Sequence, residues 1–392
     1  MNKKIILIIP KLSNGGIEKV SSELSRNLSN SYSQIVYSIM YQEHSYGFRE
    51  EPIIYEAPLG KGIIGKVFVT FGRILLLRKI YRENPDAIFL SMGERCNIIN
   101  SLSFHQGKKI LTTHSILSTE NKHKGIYGYL GGIISKLLYS RADHVVAVSN
   151  SVKSDLLDYA HLKSEGVSVI YNGHDLYDIE KKSLDKVEMY QGQVICAVGR
   201  ITHAKALWHL VRSISEVKKT IPDVVLLIVG APEGKEDLVH LEKIIEKFNL
   251  EHNVKILGYL DNPYPYIKQS KALLSTSLFE GFGCVIVESL SLGVPIICTN
   301  SMGTTEILLG PDYSIDDEVV VTDYGKIIPK MSGNKLIGEP LEDNEKLLAR
   351  EIVKTLMNEQ YLPSTLKEKA QEFSSLNMAY NYENVFNKIR EL

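Results

Sequence analysis

Cysteine is scarce in this sequence, and its scarcity excludes two classes of protein. Only four cysteines occur among 392 residues, namely Cys96, Cys196, Cys284 and Cys298. They are too few and too scattered for a disulfide framework, and no two have the C-x-x-C spacing of a zinc site. The pattern is typical of reduced, buried thiols in a cytosolic protein.

Long hydrophobic runs are missing as well. The N-terminus has the lysines of a signal peptide, but its apolar run Ile5–Ile9 ends at Pro10. That run is shorter than the roughly 7–15 residues that a signal-peptide core needs. No other stretch approaches the roughly 18 uninterrupted apolar residues of a membrane-spanning helix. The sequence therefore predicts a cytoplasmic protein with no membrane-spanning helix.

Net charge is close to zero, because 45 lysines and arginines balance 46 aspartates and glutamates. The balance hides a local excess, since residues 57–141 hold 13 basic residues against four acidic ones. A basic patch on a neutral protein indicates an anionic surface or ligand on that part of the chain. No recognised nucleic-acid-binding module accompanies the patch, so we expect no nucleic-acid partner.

Short apolar runs alternate with amphipathic stretches along the chain. Runs such as Val145–Val148 and Val224–Val229 are typical of buried parallel strands, and Ile17–Leu28 and Ala206–Thr220 have helical periodicity. Strand–helix alternation with short connections predicts α/β domains with parallel sheets.

The length of 392 residues suits two domains of roughly 150–200 residues each. We expect an N-terminal domain at residues 1–185 and a C-terminal domain at residues 186–392, joined by the charged segment 178–193. The last stretch, residues 366–392, is expected to be helical and to pack back on the first domain. Two doubly wound domains facing each other would form a ligand cleft between the carboxyl ends of their strands.

The segment VGRITHAKAL, residues 198–207, combines a strand end, a glycine turn and the start of a helix. Unpaired N–H groups point outward at such a helix start and attract anions. Arg200 and Lys205 would add a bidentate clamp and a point charge, which suit a diphosphate. On the spacing alone, two solvated cations at a helix start remain the alternative.

A second segment, STSLFEGFGCVIVESLSLGVP, holds two glutamates eight residues apart, Glu280 and Glu288. We expect Glu280 to close a strand and the loop 281–283 to let the backbone approach a ligand. Glu288 should lie about two turns into the following helix. Carboxylates at a cleft accept hydrogen bonds from sugar or ribose hydroxyls. The alternative is a Glu280 that only interacts with the helix dipole and an exposed Glu288.

The E-x(7)-E arrangement, with VGR…K about 80 residues upstream, closely resembles the family-4 retaining glycosyltransferases of GT-B architecture. The resemblance covers nearly the whole chain and includes SNGGIEKV, VVAVSNSVKSDL, VIYNGHD and KILGYLDNPYPYI. It implies an α/β protein of two Rossmann-like, doubly wound domains facing a central cleft. It also implies sugar transfer with retention at the anomeric carbon, in the synthesis of a bacterial surface polysaccharide such as O-antigen, lipopolysaccharide or capsule.

The resemblance assigns roles to residues of both halves. Arg200 and Lys205 would bind the diphosphate of a nucleotide-sugar donor, and Glu280 would bind the hydroxyls of its sugar. Glu288 would hold the ribose. The other donor contacts implied are the backbone of Tyr259, Leu260, Gly281, Phe282, Gly283 and Cys284 and, from the first half, the turn Gly15–Gly16. His114 would lie near the sugar, and it completes an implied catalytic group with Arg200, Lys205 and Glu280.

Two positions depart from the common family pattern. Ala206 follows the clamp lysine where many members have glycine, and SMGTTEIL keeps only Gly303 where many have two adjacent glycines. Both departures bear on the fine shape of the implied sugar pocket.

Metal and ATP signatures are missing from the sequence. It contains no D-x-D pair, no His/Cys metal spacing and no P-loop. We therefore expect transfer without a metal or any other cofactor.

Residues 61–82 form a basic stretch without a single acid, and its six cations are Lys61, Lys66, Arg73, Arg78, Lys79 and Arg82. The apolar residues between them follow helical spacing: Ile63, Ile64, Val67, Phe68, Phe71, Ile74 and Leu75. A basic amphipathic helix is typical of a membrane-surface binder. We expect peripheral docking on the anionic inner leaflet, to reach a lipid-diphosphate-linked or polysaccharide acceptor. A core-facing helix with solvated cations is the alternative.

Other activities remain open from the sequence. A UDP-sugar is expected as donor over GDP-mannose by family frequency alone. A UDP-sugar epimerase of the same architecture is an alternative enzyme. A non-catalytic nucleotide-sugar-binding protein is the alternative from a different class, and it predicts binding without turnover.

Overall fold

A computed structural model of the chain describes residues 3–11, 15–40, 46–54, 62–103, 107–122, 126–311, 313, 315, 318–358 and 360–391. The chain forms two compact units. The first comprises residues 1–174 and 374–392, and the second comprises residues 175–373.

The first unit is an α/β unit built on one sheet. Its described strands are β1 (Lys3–Ile9), β2 (Tyr32–Ser38), β3 (Ile53–Ile54), β4 (Ile88–Met92), β5 (Lys108–Thr113), β6 (His144–Ala147) and β7 (Val167–Val169). The helices between them are α1 (Gly16–Asn27), α2 (Gly62–Glu83), α3 (Glu94–Leu102), α4 (Leu117–Lys122), α5 (Ile126–Tyr139) and α6 (Asn150–Asp158). The strands pair in parallel in the order β3-β2-β1-β4-β5-β6-β7. The strand order reverses between β1 and β4, the kind of switch point at which open α/β sheets hold ligands.

Apolar strand residues form the core of the first unit. The runs Ile5–Ile9 in β1 and Ile88–Met92 in β4 are fully buried, as expected for central parallel strands covered on both faces. Leu77 and Ile80 of α2 pack on this sheet beside Phe89. A strand that is buried on both faces has apolar residues at successive positions and no alternating polar ones. For this reason the apolar runs of the sequence predicted these strands correctly.

The second unit follows the same plan. Its described strands are β8 (Gln193–Val198), β9 (Val224–Val229), β10 (Val254–Gly258), β11 (Leu273–Ser275), β12 (Ile296–Thr299), β13 (Val320–Thr322) and β14 (Gly325–Ile328). Its helices are α7 (Leu176–Lys182), α8 (Leu207–Thr220), α9 (Lys235–Lys247), α10 (Tyr264–Lys268), α11 (Cys284–Ser291), α12 (Gly303–Leu309), α13 (Asp343–Asn358) and α14 (Pro363–Gln371). The sheet order is β10-β9-β8-β11-β12-β14-β13, with a switch point between β8 and β11.

One strand of the second unit differs from the all-parallel prediction. Strand β13 pairs antiparallel with β14, with Val320 opposite Ile327 and Thr322 opposite Gly325. Only residues 323 and 324 connect the two strands. So short a connection can form a hairpin but cannot make the crossover that parallel strands require.

The final helix, α15 (Ser375–Glu391), belongs to the first unit. Phe386 is fully buried, and its ring lies 5.6 Å from that of Tyr32 in β2. Asn387 Oδ1 accepts hydrogen bonds from Lys3 Nζ at 2.7 Å and from Tyr32 Oη at 3.0 Å. The last helix of the chain thus completes a core that begins with β1.

The limits of the units differ from those expected. The first division falls after His174 and not near residue 185, because α7 packs against α10 and α11 of the second unit. The predicted linker 178–193 therefore begins with a helix. The stretch 366–392 is also two helices and not one, since α14 belongs to the second unit and α15 to the first.

Helix α2 is apolar on two sides. Leu77 and Ile80 are buried, whereas Phe68 and Phe71 are 70% and 55% exposed. The amphipathic interpretation was therefore incomplete, because apolar side chains also cover the solvent side of this helix. Lys61 lies outside the described residues, as do the side chains of Ile63, Ile64 and Lys66. Among the helices that the structure describes, none is both long enough and apolar enough to cross a bilayer.

Candidate functional site

The site residues predicted in the second half follow the carboxyl ends of neighbouring strands. Loops at this edge of an open α/β sheet carry ligand sites. The Gly199 N–H donates to the Val229 carbonyl at 2.9 Å, and a Cβ on Gly230 would overlap the carbonyl oxygen of Gly199. The loops after β8 and β9 are therefore packed backbone to backbone, and glycine is required at Gly230.

Arg200 follows this turn and pairs with a carboxylate of the adjacent loop. Its Nη1 donates to Glu233 Oε1 at 3.0 Å. The two side chains are 73% and 61% exposed, and an ion pair this exposed contributes about 0–1 kcal/mol. An incoming anion can replace Glu233 on the guanidinium at small cost.

Lys205 forms an ion pair with Glu280, which lies 75 residues further along the chain. The same carboxylate oxygen accepts a hydrogen bond from Ser277 Oγ at 3.0 Å. The side chains of Lys205 and Glu280 are only 25% and 18% exposed. Gly199 leaves room for the lysine, since a Cβ there would lie 3.0 Å from Lys205 Cε. An ammonium and a carboxylate are thus held together in a partly desolvated position.

Glu280 lies in a loop and does not close a strand as predicted. Strand β11 ends at Ser275, because the chain then turns and the Leu278 N–H donates to the Ala204 carbonyl at 2.8 Å. The Glu280 N–H donates to the Ser301 carbonyl at 3.0 Å, and the Gly303 N–H donates to the Glu280 carbonyl at 3.1 Å. The loops after β11 and β12 therefore support the Glu280 side chain.

Glycines set the shape of the loop that follows Glu280. A Cβ on Gly303 would lie 2.6 Å from the carbonyl of Gly281, and one on Gly283 would lie 2.7 Å from the side chain of Thr304. Gly283 also has a φ of 98° and caps the start of α11 before Cys284. Phe282 is buried, with its ring 5.6 Å from that of Phe373. The ring of Phe282 is therefore packed in the interior and is not available to a ligand.

Glu288 lies one turn into α11 and not two, because the helix begins at Cys284. Its side chain is buried, contrary to the alternative of an exposed glutamate, and Oε1 accepts a hydrogen bond from Tyr264 Oη at 3.5 Å. Tyr264 begins α10, just after the predicted base-binding residues Tyr259 and Leu260. These two follow β10, whose Gly258 carbonyl accepts from the Gly230 N–H at 2.7 Å.

The two residues that replace family glycines, Ala206 and Met302, both have a positive φ, which is a conformation that favours glycine. Ala206 has φ 44° and ψ 40°, and Met302 has φ 66° and ψ −88°. Such a conformation costs a non-glycine residue about 1–2 kcal/mol. Ala206 adjoins Lys205, and Met302 forms an isolated β-bridge with Glu280. Strain of this kind is typical of functional sites.

Three predicted residues belong to the first unit. Gly15 and Gly16 lead from β1 into α1, and a Cβ on Gly15 would overlap the carboxylate of Glu18. His114 follows β5, and its Nε2 lies 3.1 Å from Thr112 Oγ1. Burial lowers the pKa of His114 to about 4. The imidazole is therefore neutral near pH 7 and offers hydrogen bonds but no positive charge.

Within the described residues, one cluster has metal-ligand geometry. The ligand atoms of His209, Glu342 and Glu345 lie within 4.8 Å of one another. Arg212 already satisfies both oxygens of Glu345, because Nε and Nη2 donate to them at 2.8 and 2.9 Å. A guanidinium in contact with the carboxylate opposes a second cation. The cluster is best described as an ion-pair network joining α8 to α13.

Sequence reasoning missed two residues of the site. Ser277 lies in the segment that contains Glu280 and Glu288, but its spacing does not indicate a hydrogen bond to Glu280. Glu233 follows Gly230, at the end of a strand that the sequence did predict. The signal that could have identified Glu233 is the glycine turn at Gly230, at the carboxyl end of β9. An acidic residue after such a turn is a candidate partner for Arg200 in the neighbouring loop.

Both halves of the chain match families of known proteins. Residues 14–177 match the family described as Glycosyltransferase Family 4, and residues 179–311 match the family described as Glycosyl transferases group 1. The two matches therefore cover the chain from residue 14 to residue 311 with one residue between them.

Two curated relatives span most of the chain. A Campylobacter jejuni N-acetylgalactosamine-N,N'-diacetylbacillosaminyl-diphospho-undecaprenol 4-alpha-N-acetylgalactosaminyltransferase is 26% identical over 79% of this chain and 84% of its own length. The amylovoran biosynthesis glycosyltransferase AmsD of Erwinia amylovora is 26% identical over 80% of this chain and 86% of its own.

A solved structure shows the same fold. Anabaena HepE, crystallised with UDP and glucose, superposes with a TM-score of 0.75. The match covers 98% of this chain and 100% of the other, at 17% sequence identity. At that identity the likeness concerns the fold alone.

Proposed function

Because the chain belongs to the family-4 glycosyltransferases with the GT-B fold, we propose that it transfers a hexose or N-acetylhexosamine from a nucleotide diphosphate sugar to a lipid-linked or growing polysaccharide acceptor. The observation that carries this proposal is the partly desolvated pair Lys205–Glu280, with Arg200 in the same β8–α8 connection as Lys205, at the carboxyl edge of the second sheet. Two cations with exchangeable carboxylate partners suit a diphosphate that arrives with its sugar.

The proposed chemistry separates the two ion pairs when the donor binds. On donor binding, Lys205 and Arg200 exchange Glu280 and Glu233 for the diphosphate oxygens. Their charges then stabilise the negative charge that develops on the leaving diphosphate, which is often the largest catalytic contribution. Glu280 is released to accept hydrogen bonds from the sugar hydroxyls. Because these two cations supply positive charge at the leaving diphosphate, the proposal includes metal independence. It also includes same-face transfer with retention, which is the mechanism that the family resemblance implies.

The relatives support finer proposals for donor and acceptor. The Anabaena structure contains UDP and glucose, which favours a UDP-sugar over GDP-mannose. The Campylobacter relative is named for a diphospho-undecaprenol substrate, and AmsD for the synthesis of amylovoran. We therefore propose a lipid-diphosphate-linked acceptor and a surface polysaccharide as the final product.

Turnover of a donor panel in the presence of EDTA tests the function. Purified protein is incubated with UDP-glucose, UDP-galactose, both UDP-N-acetylhexosamines and GDP-mannose, with bacterial inner-membrane lipid extract as acceptor. We expect release of nucleoside diphosphate from one UDP-sugar, dependent on the extract and equally fast in EDTA and in Mg²⁺. The labelled lipid product should carry the sugar with the anomeric configuration of the donor.

Three other results would contradict parts of this proposal. A rate abolished by EDTA and restored by Mg²⁺ would refute metal independence. An inverted anomeric centre would refute retention. Nucleotide binding without turnover of any donor would show a binding protein, and interconversion of UDP-sugars without transfer would show an epimerase.

Exposed apolar side chains of the first unit support membrane docking. On α2, Val67, Phe68, Phe71 and Leu75 are 46–70% exposed. On α5, Ile133, Ile134 and Leu137 are 43–54% exposed. Both helices contact α3, and Lys79 and Arg82 of α2 are also exposed. Apolar side chains flanked by cations favour an anionic membrane surface, which we propose is the inner leaflet.

Vesicle co-sedimentation tests this docking. We expect the protein to bind vesicles containing phosphatidylglycerol more strongly than neutral phosphatidylcholine vesicles. The double variant Phe68→Ser/Phe71→Ser should lower the bound fraction several-fold through the lost apolar insertion. The matched variant Met357→Ser/Leu362→Ser removes side chains that are 60% and 69% exposed on the second unit, and it should bind like the wild type. Equal binding by both double variants would refute the proposed surface.

A further inference from the structure

A buried polar network lies at the carboxyl ends of β4 and β5 in the first unit. Its centre is Tyr139 at the end of α5, which is 2% exposed. Asn97 Nδ2 and Thr113 Oγ1 donate to the Tyr139 hydroxyl at 2.9 and 3.0 Å. The hydroxyl in turn donates to Glu94 Oε1 at 2.5 Å.

These hydrogen bonds determine where the Tyr139 proton points. A phenol offers one proton and acceptor lone pairs. Because Asn97 and Thr113 donate to the oxygen, its proton is directed to Glu94, which accepts as a carboxylate does. Burial, together with the charge of Glu94, raises the pKa of Tyr139 well above its ordinary value. The phenol therefore keeps its proton and holds the carboxylate in one orientation.

The same network reaches His114. Asn97 Nδ2 also donates to the Thr112 carbonyl at 2.8 Å, and Thr112 Oγ1 lies 3.1 Å from His114 Nε2. Asn97 Oδ1 accepts from Ser91 Oγ in β4 at 2.7 Å. Side chains from two neighbouring strands and two helices thus form one connected set of hydrogen bonds.

Glu94 occupies the edge of the sheet at its switch point. Gly93, with a φ of 82°, turns the chain from β4 into α3 and makes Glu94 the first residue of that helix. A Cβ on Gly93 would lie 3.1 Å from Ile17 of α1, which follows the Gly15–Gly16 turn. Strands β1, β4 and β5 are neighbours in the sheet. The loops that follow these three strands therefore share the edge at which α/β sheets bind ligands.

The groups gathered in the network suit a sugar hydroxyl better than a phosphate. They are hydroxyls, an amide, the neutral imidazole of His114 and the half-buried carboxylate of Glu94. Carboxylates accept hydrogen bonds from hydroxyl groups, whereas phosphates are bound by cations. The cations with exchangeable partners, Arg200 and Lys205, lie in the second unit.

We propose that Glu94 binds a hydroxyl of the acceptor saccharide, and that Tyr139 is a positioning residue that orients the Glu94 carboxylate. This inference rests on the proposed function, since only a transferase needs an acceptor hydroxyl. It adds a carboxylate to the acceptor side and names the phenol that holds it.

Acceptor kinetics of Glu94→Gln and Tyr139→Phe test the inference. Transfer is measured at saturating donor with a varied amount of inner-membrane lipid extract, and affinity for UDP is measured separately. A lost hydrogen bond to a charged group costs roughly tenfold or more. We therefore expect Glu94→Gln to raise the apparent KM for the extract at least tenfold, and Tyr139→Phe to raise it about three- to tenfold. UDP affinity should stay within twofold of the wild type in both.

The double variant separates positioning from a general structural role. If Tyr139 acts through Glu94, Glu94→Gln/Tyr139→Phe should be no worse than Glu94→Gln alone, because coupled residues are not additive. Tyr32→Phe is the matched control. It removes a part-buried hydroxyl bonded to Asn387 in the same unit, and it should leave the KM unchanged.

Three outcomes would overturn the inference. They are an unchanged KM for the extract in Glu94→Gln, a weakened UDP affinity in that variant, or additive losses in the double variant. All three require a wild-type protein that transfers sugar. A wild type without transfer would refute the proposed function itself, and the inference with it.

Discussion

Replacing Lys205 with alanine is expected to lower kcat/KM for sugar transfer by about 100- to 1,000-fold, the usual effect of removing one charged or hydrogen-bonding group from a leaving-group site. Lys205 is only 25% exposed and is already held by Glu280. Its charge is therefore placed before the donor arrives. Because negative charge grows on the diphosphate as the glycosidic bond breaks, kcat should fall more than the affinity for UDP.

The Glu280 partner makes this prediction sharper. Glu280→Ala should also lose most of the activity, and the double variant Lys205→Ala/Glu280→Ala should be little worse than the poorer single variant, because the two side chains act as a unit. Arg200 is 73% exposed, so Arg200→Ala should cost less than Lys205→Ala.

Steady-state release of nucleoside diphosphate measures these effects. Lys218→Ala is the matched control, because Lys218 is a partly exposed lysine of α8 whose Nζ donates to the backbone carbonyl of Asn249, outside the proposed site. It should keep activity within twofold of the wild type. If Lys205→Ala retained more than a tenth of the wild-type activity while folding normally, the diphosphate could not be held at this position.

Replacing Arg212 with methionine is expected to destabilise the protein by about 3–5 kcal/mol, because breaking a buried ion pair leaves one charge without its partner. Arg212 and Glu345 are both fully buried and form a bidentate pair at 2.8 and 2.9 Å. Arg212 Nη2 also donates to the Pro340 carbonyl at 2.9 Å. The variant would leave the Glu345 carboxylate and this carbonyl short of donors.

Denaturant unfolding followed by tryptophan fluorescence measures this effect. The chain has a single tryptophan, Trp208 in α8, whose ring lies 5.3 Å from that of His209 in the same network. Its emission therefore reports on the second unit alone. Lys219→Met removes the exposed partner of Glu216 on the same helix and should change the unfolding free energy by less than about 1 kcal/mol.

Two further results would decide whether the ion pair is responsible. The double variant Arg212→Met/Glu345→Leu should be more stable than Arg212→Met, since it no longer buries a lone carboxylate. Burial alone would raise the pKa of Glu345, but hydrogen bonds from His209 and Arg212 hold it below its ordinary value. The stabilisation from Glu345 is therefore complete above the unfolded-state pKa and lost as pH falls through the lower folded-state pKa. A double variant less stable than Arg212→Met would contradict this account.

The sequence predicted the parts of the fold that local pattern controls. Fully apolar runs marked β1 and β9, since parallel strands buried on both faces contain no alternating polar residues. Local pattern also predicted the end of the first domain near residue 185. Helix α7 is rich in charged residues and buries Ile179, so its sequence has the pattern of a linker. Its membership of the second unit comes from tertiary packing, which periodicity does not encode.

The site was predictable where a motif kept its residues close in the chain. The sequence predicted the E-x(7)-E segment and the Arg200–Lys205 segment, but not the Lys205–Glu280 ion pair that joins them across 75 residues. Tyr139 and Glu94 are 45 residues apart, and neither carries a signal of its own. The sequence shows that two glycines common in the family are replaced in this chain. Only the structure shows that Ala206 and Met302 nevertheless keep positive φ angles.

The position of α15 has a consequence for how the protein is made. Lys3 of β1 bonds Asn387 of α15, 384 residues later, and the whole second unit lies in the chain between the two segments of the first unit. During synthesis, the first sheet therefore emerges long before the helix that covers Tyr32. The second unit is contiguous and can fold as soon as residue 373 has left the ribosome. The half of the molecule that is translated first is thus the one that finishes folding last.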